Sequence, residues 1–198
     1  MRLREWGGVV KGETSLLART FYRRDVRIVA RELLGCRLVT LIDGERAEGV
    51  IIETEAYLSE GDEASHSWRG ETARNRSMFL EGGHAYVYRI YGMHSCFNVV
   101  AGRKGIGESV LIRAIEPTVG TEIMRQRRGE RPDRDLANGP GKLTVALGIG
   151  PEHGGLDLMT STVIWIERGE DLSDDVEVTP RIGIRRSADL LLRWRRRR

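Results

Sequence analysis

Long apolar runs are missing from this 198-residue sequence. No stretch approaches the ~18 consecutive apolar residues of a membrane-spanning helix, and no apolar segment follows the arginines near the N-terminus, so neither a transmembrane span nor a secretory signal is expected. Cysteine is scarce as well. Cys36 and Cys96 are too few for a disulfide framework or a four-thiolate metal site, and a reduced, cytoplasmic setting is expected. There are no internal repeats, and low complexity is confined to the C-terminal arginines. What is present is 40% hydrophobic and 31% charged, ordinary for a chain that buries a core. At ~150 residues per domain the length corresponds to one domain over residues 1–198.

Charge is spread unevenly. The net charge is +3, yet from Arg181 onward eight arginines stand against a single Asp189, so the first 180 residues carry −4 between them. A basic tail over about residues 185–198 on a near-neutral body fits a polyanionic partner, because clustered cations make sequence-independent phosphate contacts. It fits equally a solvated terminal run in a chain where 29 of the 32 basic residues are arginine.

Val26, Val29, Ala30, Leu33 and Leu34 recur at helical spacing behind Asp25, a suitable N-cap, with Gly35 as the stop. Cys36–Ile42 and Glu45–Tyr57 flank Asp43-Gly44, the strongest hairpin signal in the chain. Residues 58–75 read as a long polar loop, a feature that compact domains keep mainly for function. His84–Ala101 reads as two strands interrupted at Gly92, and Ser109–Ile115 as another strand. A helix is expected over Pro117–Arg128, then a charged loop over Gly129–Asp135. Further expectations are a short helix over Lys142–Leu147 and strands at Thr162–Glu167 and Arg181–Ile184. Short turns between consecutive strands predict a mixed α/β (α+β) domain with mostly antiparallel pairing.

Two segments could carry chemistry. On a strand, Glu53, Glu55 and Tyr57 share one face while Ile52, Thr54 and Ala56 share the other. That face is either a solvated sheet surface or an aromatic-lined cavity in which a carboxylate activates water and Tyr57 stacks on a flat ligand. Tyr86 and Tyr88 likewise share a face, whereas Tyr91 has the opposite parity and adjoins Gly92. Tyrosines in strands are commonly packing residues; an aromatic protruding from a hairpin tip can instead wedge between stacked bases. Other signatures fail. Gly139–Lys142 lacks the first glycine and the hydroxyl residue of a P-loop, and no PCxxC run exists for a deaminase zinc. The four histidines lack metal-helix spacing, and no serine or cysteine sits in a nucleophile elbow. A carboxylate with no metal and no covalent nucleophile is the remaining chemistry.

Six ordered blocks resemble the alkyladenine (3-methyladenine) DNA glycosylases of the mammalian type, a family with bacterial members: Glu53–Tyr57 (ETEAY), Asp62–Ser67 (DEASHS), Ala73–Phe79 (ARNRSMF), Tyr86–Val100 (YVYRIYGMHSCFNVV), Val110–Pro117 (VLIRAIEP) and Asn138–Leu143 (NGPGKL). The resemblance runs from about Ser15 to Trp194. It implies a single domain built round a curved antiparallel sheet with a protruding β-hairpin, and a monofunctional enzyme of base excision repair without cofactor. Such an enzyme flips alkylated or deaminated purines of the 3-methyladenine, 7-methylguanine, hypoxanthine and ethenoadenine class out of duplex DNA and hydrolyses the N-glycosidic bond. By the same resemblance, Glu55 is the general base for the attacking water and Arg113 helps to hold that water. Tyr57 and Tyr88 sandwich the base, His66 contacts its edge, and Asn98 is the gate against the amino group of guanine. Tyr91 is the wedge in the minor groove; Met93, His94 and Lys142 are flanking DNA contacts, Lys142 on a phosphate. His94 stands where many members carry an aromatic such as tyrosine, and the terminal arginines follow Trp194 where members continue with another aromatic strand and a glycine-containing segment. The implied partner is double-stranded DNA with damaged purines, met by a monomer in the cytoplasm, at the nucleoid, with no membrane. A non-catalytic lesion-binding module and a hydrolase of free nucleosides, which would not need Tyr91, are the alternatives.

Overall fold

The computed structural model describes residues 16–90, 92, 94–172 and 175–197. The expected first helix forms as α2 (Val26–Glu32), after a single turn α1 (Arg19–Tyr22); the Asp25 carboxylate accepts the Arg27 N–H at 2.8 Å as an N-cap. The expected hairpin follows as β1 (Arg37–Ile42) and β2 (Glu45–Tyr57). Asp43 and Gly44 both take positive φ, 55° and 78°, the backbone that joins two right-twisted strands in a two-residue turn. After the long loop, closed by a 3₁₀ turn at Arg76–Phe79, come β3 (Ala85–Ile90), β4 (His94–Ala101) and β5 (Glu108–Val119). Then follow α3 (Thr121–Arg128), α4 (Asp133–Leu136), α5 (Pro140–Leu147) and three short strands, β6 (Ile164–Glu167), β7 (Val176–Thr179) and β8 (Arg193–Arg196).

The described strands form one antiparallel sheet in the order β3-β4-β5-β2-β1-β6, with β8 joining β2 to β7. The fold is thus the mixed α/β architecture expected, a curled antiparallel sheet with helices against it. Thirteen-residue β2 is its organising strand. One edge pairs with β5, and the other pairs first with β1 and then, over Glu53–Glu55, with β8. Beyond a register shift at Ile51–Glu53, which keeps Ile51 in the core and leaves Ile52 only half-buried, alternation along β2 separates two environments. Thr54 donates to the Ala30 carbonyl of α2 at 2.8 Å, so the Thr54 and Ala56 side faces the helix layer. The core lies there, from Val26, Val29 and Ala30 to Ile51, Ile112 and Leu147. Glu53, Glu55 and Tyr57 face the other way, towards β8 and the segment before it.

The structure corrects several boundaries. Pro117 does not open a helix: β5 continues through it against Gly49 and ends at Val119. The helix waits for Gly120, at φ 75°, where an added Cβ would stand 2.3 Å from the Arg46 carbonyl oxygen, so only glycine makes this turn. The charged loop contains the single turn α4, α5 begins at Pro140 rather than Lys142, and β6 begins at Ile164 rather than Thr162. Proline is at home in a first helical turn, where its missing N–H has no partner to lose. The strand expected at Arg181–Ile184 does not form. Arg181 there turns inward onto an aspartate, and the strands lie on either side of it, as β7 and β8. The terminal arginines do not begin a free tail either: β8 pairs with two strands and buries Trp194 in the core.

Candidate active site

Glu55 has no solvent exposure. Burying a carboxylate is costly without compensating donors, and three groups supply them. The Tyr57 hydroxyl donates to Oε2 at 2.9 Å, the Ile182 backbone N–H donates to Oε1 at 2.8 Å, and Arg113 Nη1 stands 3.1 Å from Oε2. Each of these partners lines a cavity of about 320 Å³, so the carboxylate sits one layer below the cavity wall. Burial first, and the Glu55 charge second, push the Tyr57 phenol far up, which keeps its proton on the oxygen as the donor to Glu55.

Arg113 reaches this face because the sheet is irregular at that point. Glu53 pairs with Ala114 and Thr54 with Ile112, which leaves Arg113 in a register shift between them. Such bulges redirect a side chain relative to regular alternation. The Arg113 Nε–H donates to Glu53 Oε1 at 2.9 Å while Nη1 faces Glu55. Burial works against its charge, but Glu55 and Glu53 more than offset this and hold the guanidinium firmly protonated.

The cavity is walled by rings. Tyr57, Tyr86, Tyr88 and His66 all line it. His66 Nδ1 and the Tyr86 hydroxyl are 2.7 Å apart, and the His66 ring meets Tyr88 edge-on at 4.4 Å between centroids. Burial, helped by the Arg74 charge, lowers the His66 pKa, so the imidazole is neutral near pH 7. Asn75 holds this loop by donating to the His66 carbonyl at 2.8 Å. Asn98 lines the same cavity from β4, its side-chain nitrogen donating to the Tyr86 and Cys96 carbonyls at 3.1 and 3.4 Å. No lysine lines the cavity among the described residues.

The expected DNA contacts lie nearby in part. His94 packs on Gly141 in the first turn of α5, whose Thr144 hydroxyl donates to the Ser95 carbonyl at 2.9 Å. Lys142, exposed on that helix, donates to Asn138 at 2.7 Å, and Pro140 reaches the cavity. Ile90 pairs with His94 across the hairpin, with Gly92 at φ 73° between them. Tyr91 and Met93 lie outside the described residues.

Several contributors were not foreseen. Glu53 is also held by Arg193, whose Nε–H donates to the same Oε1 at 2.6 Å, so Glu55, Arg113, Glu53 and Arg193 form a connected chain of charges of alternating sign. Arg181 and Asp62 form a fully buried pair beside Tyr57. Ile182, Gly183 and Ile184 complete the cavity wall. The backbone donor at Ile182 had no sequence signal, since any residue supplies one. The parity of Glu53 with Glu55 was the available hint for the chain of charges. Among the described residues no group of three or more His, Cys, Asp and Glu side chains could hold a metal ion.

Comparison with known proteins supplies independent findings. The family model described as Methylpurine-DNA glycosylase (MPG) matches residues 20–198. A protein of Carboxydothermus hydrogenoformans is 49% identical over 180 residues, covering 90% of this chain and 94% of its own. One of Methanoculleus marisnigri is 49% identical over 181 residues, covering 90% and 93%, and one of Chlorobaculum tepidum is 47% identical over 182 residues, covering 91% and 86%. All three carry the name "Putative 3-methyladenine DNA glycosylase".

Proposed function

From its place in the methylpurine-DNA glycosylase family, to which the chain belongs as a DNA glycosylase of DNA repair, we propose that it flips alkylated or deaminated purines from duplex DNA into the aromatic cavity and hydrolyses their N-glycosidic bond with a water activated by Glu55. The observation that carries this reading is the buried carboxylate itself, held against Arg113, Tyr57 and Ile182 just behind the wall of a cavity lined by four rings. Its volume falls at the lower end of the ~300–1,000 Å³ usual for small-molecule sites, which suits one base rather than a nucleotide chain.

The chemistry follows from the charges. A base inside a duplex cannot reach a pocket, and extrusion costs a few kcal/mol, least for damaged or mispaired bases. Tyr91 offsets part of that by stacking in the gap, worth ~1–3 kcal/mol per base–aromatic contact. Tyr57 and Tyr88 hold the extruded ring, and their faces favour a cationic alkylpurine by ~0.5–2 kcal/mol. His66 meets the purine edge. Asn98, with its nitrogen committed to two carbonyls, is fixed in the wall and obstructs the amino group of guanine. As the glycosidic bond lengthens, its electron pair leaves with the purine and the sugar gains oxocarbenium character. The carboxylate stabilises the cationic sugar and takes the proton of the water whose oxygen bonds to C1′, while the Arg113 guanidinium orients that water. With no lysine in the described wall, the product is an intact abasic strand. Met93, His94 and Lys142 contact the flanking DNA.

The test is base release from a duplex carrying a single hypoxanthine or 7-methylguanine, run beside the corresponding free nucleosides. The reading requires free base and an uncut abasic strand from duplex only. Tight binding without release would make the protein a lesion-binding module, and equal turnover of nucleosides would make it a nucleoside hydrolase.

A further inference from the structure

One buried ion pair next to the cavity is used by none of the steps above. The Arg181 and Asp62 side chains are both wholly inaccessible, 119 residues apart in sequence, and joined by a fork: Nη1 to Oδ2 at 2.6 Å and Nη2 to Oδ1 at 2.7 Å. Most of their remaining hydrogen-bonding capacity is used as well. Asp62 accepts the Leu58 and Ala64 N–H groups, both at 3.1 Å, while Arg181 donates to the Ala56 carbonyl at 3.0 Å and the Ser187 carbonyl at 3.3 Å. Arg181 Nε remains buried without a partner. Burying two charges is not an economical way to stabilise a fold, since apolar replacements of similar volume often do as well. Its location suggests another role. The guanidinium carbon lies 4.6 Å from the centre of the Tyr57 ring. The next residue, Ile182, presents its N–H to Glu55 and begins the wall segment 182–184, while the turn that starts at Asp62 carries Ala64 and His66 into the cavity.

We propose that Arg181, gripped by Asp62, is a positioning residue: its fork fixes the Ile182 amide on the Glu55 carboxylate. The proposal rests on the reading of Glu55 as the base. It gives the loop after β2 and the segment before β8, which share no sheet pairing, one rigid joint at the place where the water must be oriented. Only arginine spans this geometry, because its planar fork satisfies one carboxylate and two carbonyls at once; a lysine ammonium offers a single point of attachment.

The experiment uses the full chain with Arg181→Lys, Arg181→Met and Asp62→Asn. Single-turnover release of hypoxanthine and affinity for the same duplex are measured, together with hydrogen exchange at the Ile182 amide. The expected result is a release rate lowered roughly 10- to 100-fold, the scale of a misplacement near 1 Å, with affinity unchanged within about threefold. The Ile182 amide loses its protection while the amides of β2 and β5 keep theirs. Rate and affinity falling together, or an Ile182 amide as protected as in the wild type, would overturn the proposal. If substitution at 181 prevents folding, Asp62→Asn, which keeps the side-chain shape, bears the same test. Failure of the underlying reading has a different signature: Glu55→Gln would then release base at the wild-type rate, whatever happens at Arg181.

Discussion

Arg113 and Arg181 can be set against Arg195 and Arg196. All four belong to the same arginine-rich composition, and the fold places them in contrasting surroundings. Arg113 and Arg181 are 13% and 0% exposed and reach Glu53, Glu55 and Asp62 at 2.6 to 3.1 Å. Arg195 and Arg196 are 43% and 42% exposed; Arg195 pairs with Glu177 at 2.7 Å, and Arg196 meets Glu116 and Asp175 only at 3.6 and 3.7 Å. Coulomb interactions several times weaker in water than in a low-dielectric interior separate the two pairs. The inner arginines set the geometry of a buried carboxylate. The outer ones keep most of their charge available to solvent and to an anionic partner. Arg193 stands between the regions: it lies in β8 with the outer group, yet it is 11% exposed and bonded to Glu53.

Substitution along this gradient should give losses in the same order. Arg113→Met removes the cation beside Glu55 and should lower single-turnover base release by ~10²–10⁴-fold, the range for loss of a positioned acid–base partner. A smaller loss would move the orientation of water to another group. Arg193→Met should act at second hand, through Glu53, with release reduced about tenfold. It should also lower stability by roughly 1–3 kcal/mol, as a partly buried carboxylate gives up a charged hydrogen bond; urea midpoints and release rates on one preparation measure both. Unchanged kinetics would confine Arg193 to holding β8 in place.

Arg74 offers an intermediate case, an exposed arginine whose charge reaches the partly desolvated His66 ring in the cavity wall. Burial first and Arg74 second depress the His66 pKa below its ordinary 6.5. As pH falls through about 6.5 the unfolded chain therefore binds a proton that the folded chain resists. Stability conferred by the neutral ring is present above that pH and is lost on acidification. Denaturation of wild type and His66→Gln between pH 8 and pH 5.5 should show the variant losing less stability, and parallel curves would refute the assignment. The smallest effect belongs to Arg196→Gln with Arg197→Gln. Stability should change by no more than about 1 kcal/mol. Where either arginine neutralises a DNA phosphate, the slope of log K against log salt should become shallower by roughly 0.9 for each phosphate no longer neutralised. Deleting the four terminal arginines is a poorer probe, because it cuts into β8, whose register with Glu53, Thr54 and Glu55 supports the site.

Much of the frame was legible because it rests on local rules. The Asp25 cap, the Asp43-Gly44 turn and the two strands around Gly92 are set by residues within a few positions of one another. Parity alone put Glu53, Glu55 and Tyr57 on a common face, and the resemblance then marked His66, Tyr88 and Asn98, which do line one cavity with Tyr57 and Arg113. What escaped depends on long-range pairing. Arg181 reads locally as part of a short strand, and only a partner 119 residues away turns it inward. The arginines after Trp194 read as a tail because no local signal says that β2 still has an open edge for β8. The shift that turns Arg113 onto Glu53 and Glu55 arises from the pairing of two strands and is visible in neither alone.

The most direct measurement is single-turnover release of hypoxanthine from duplex DNA by Glu55→Gln, alongside its affinity for that duplex. The substitution keeps the side-chain shape and removes the ability to take a proton. The account predicts release lowered by at least ~10²-fold with the damaged duplex still bound. Release at the wild-type rate would contradict it.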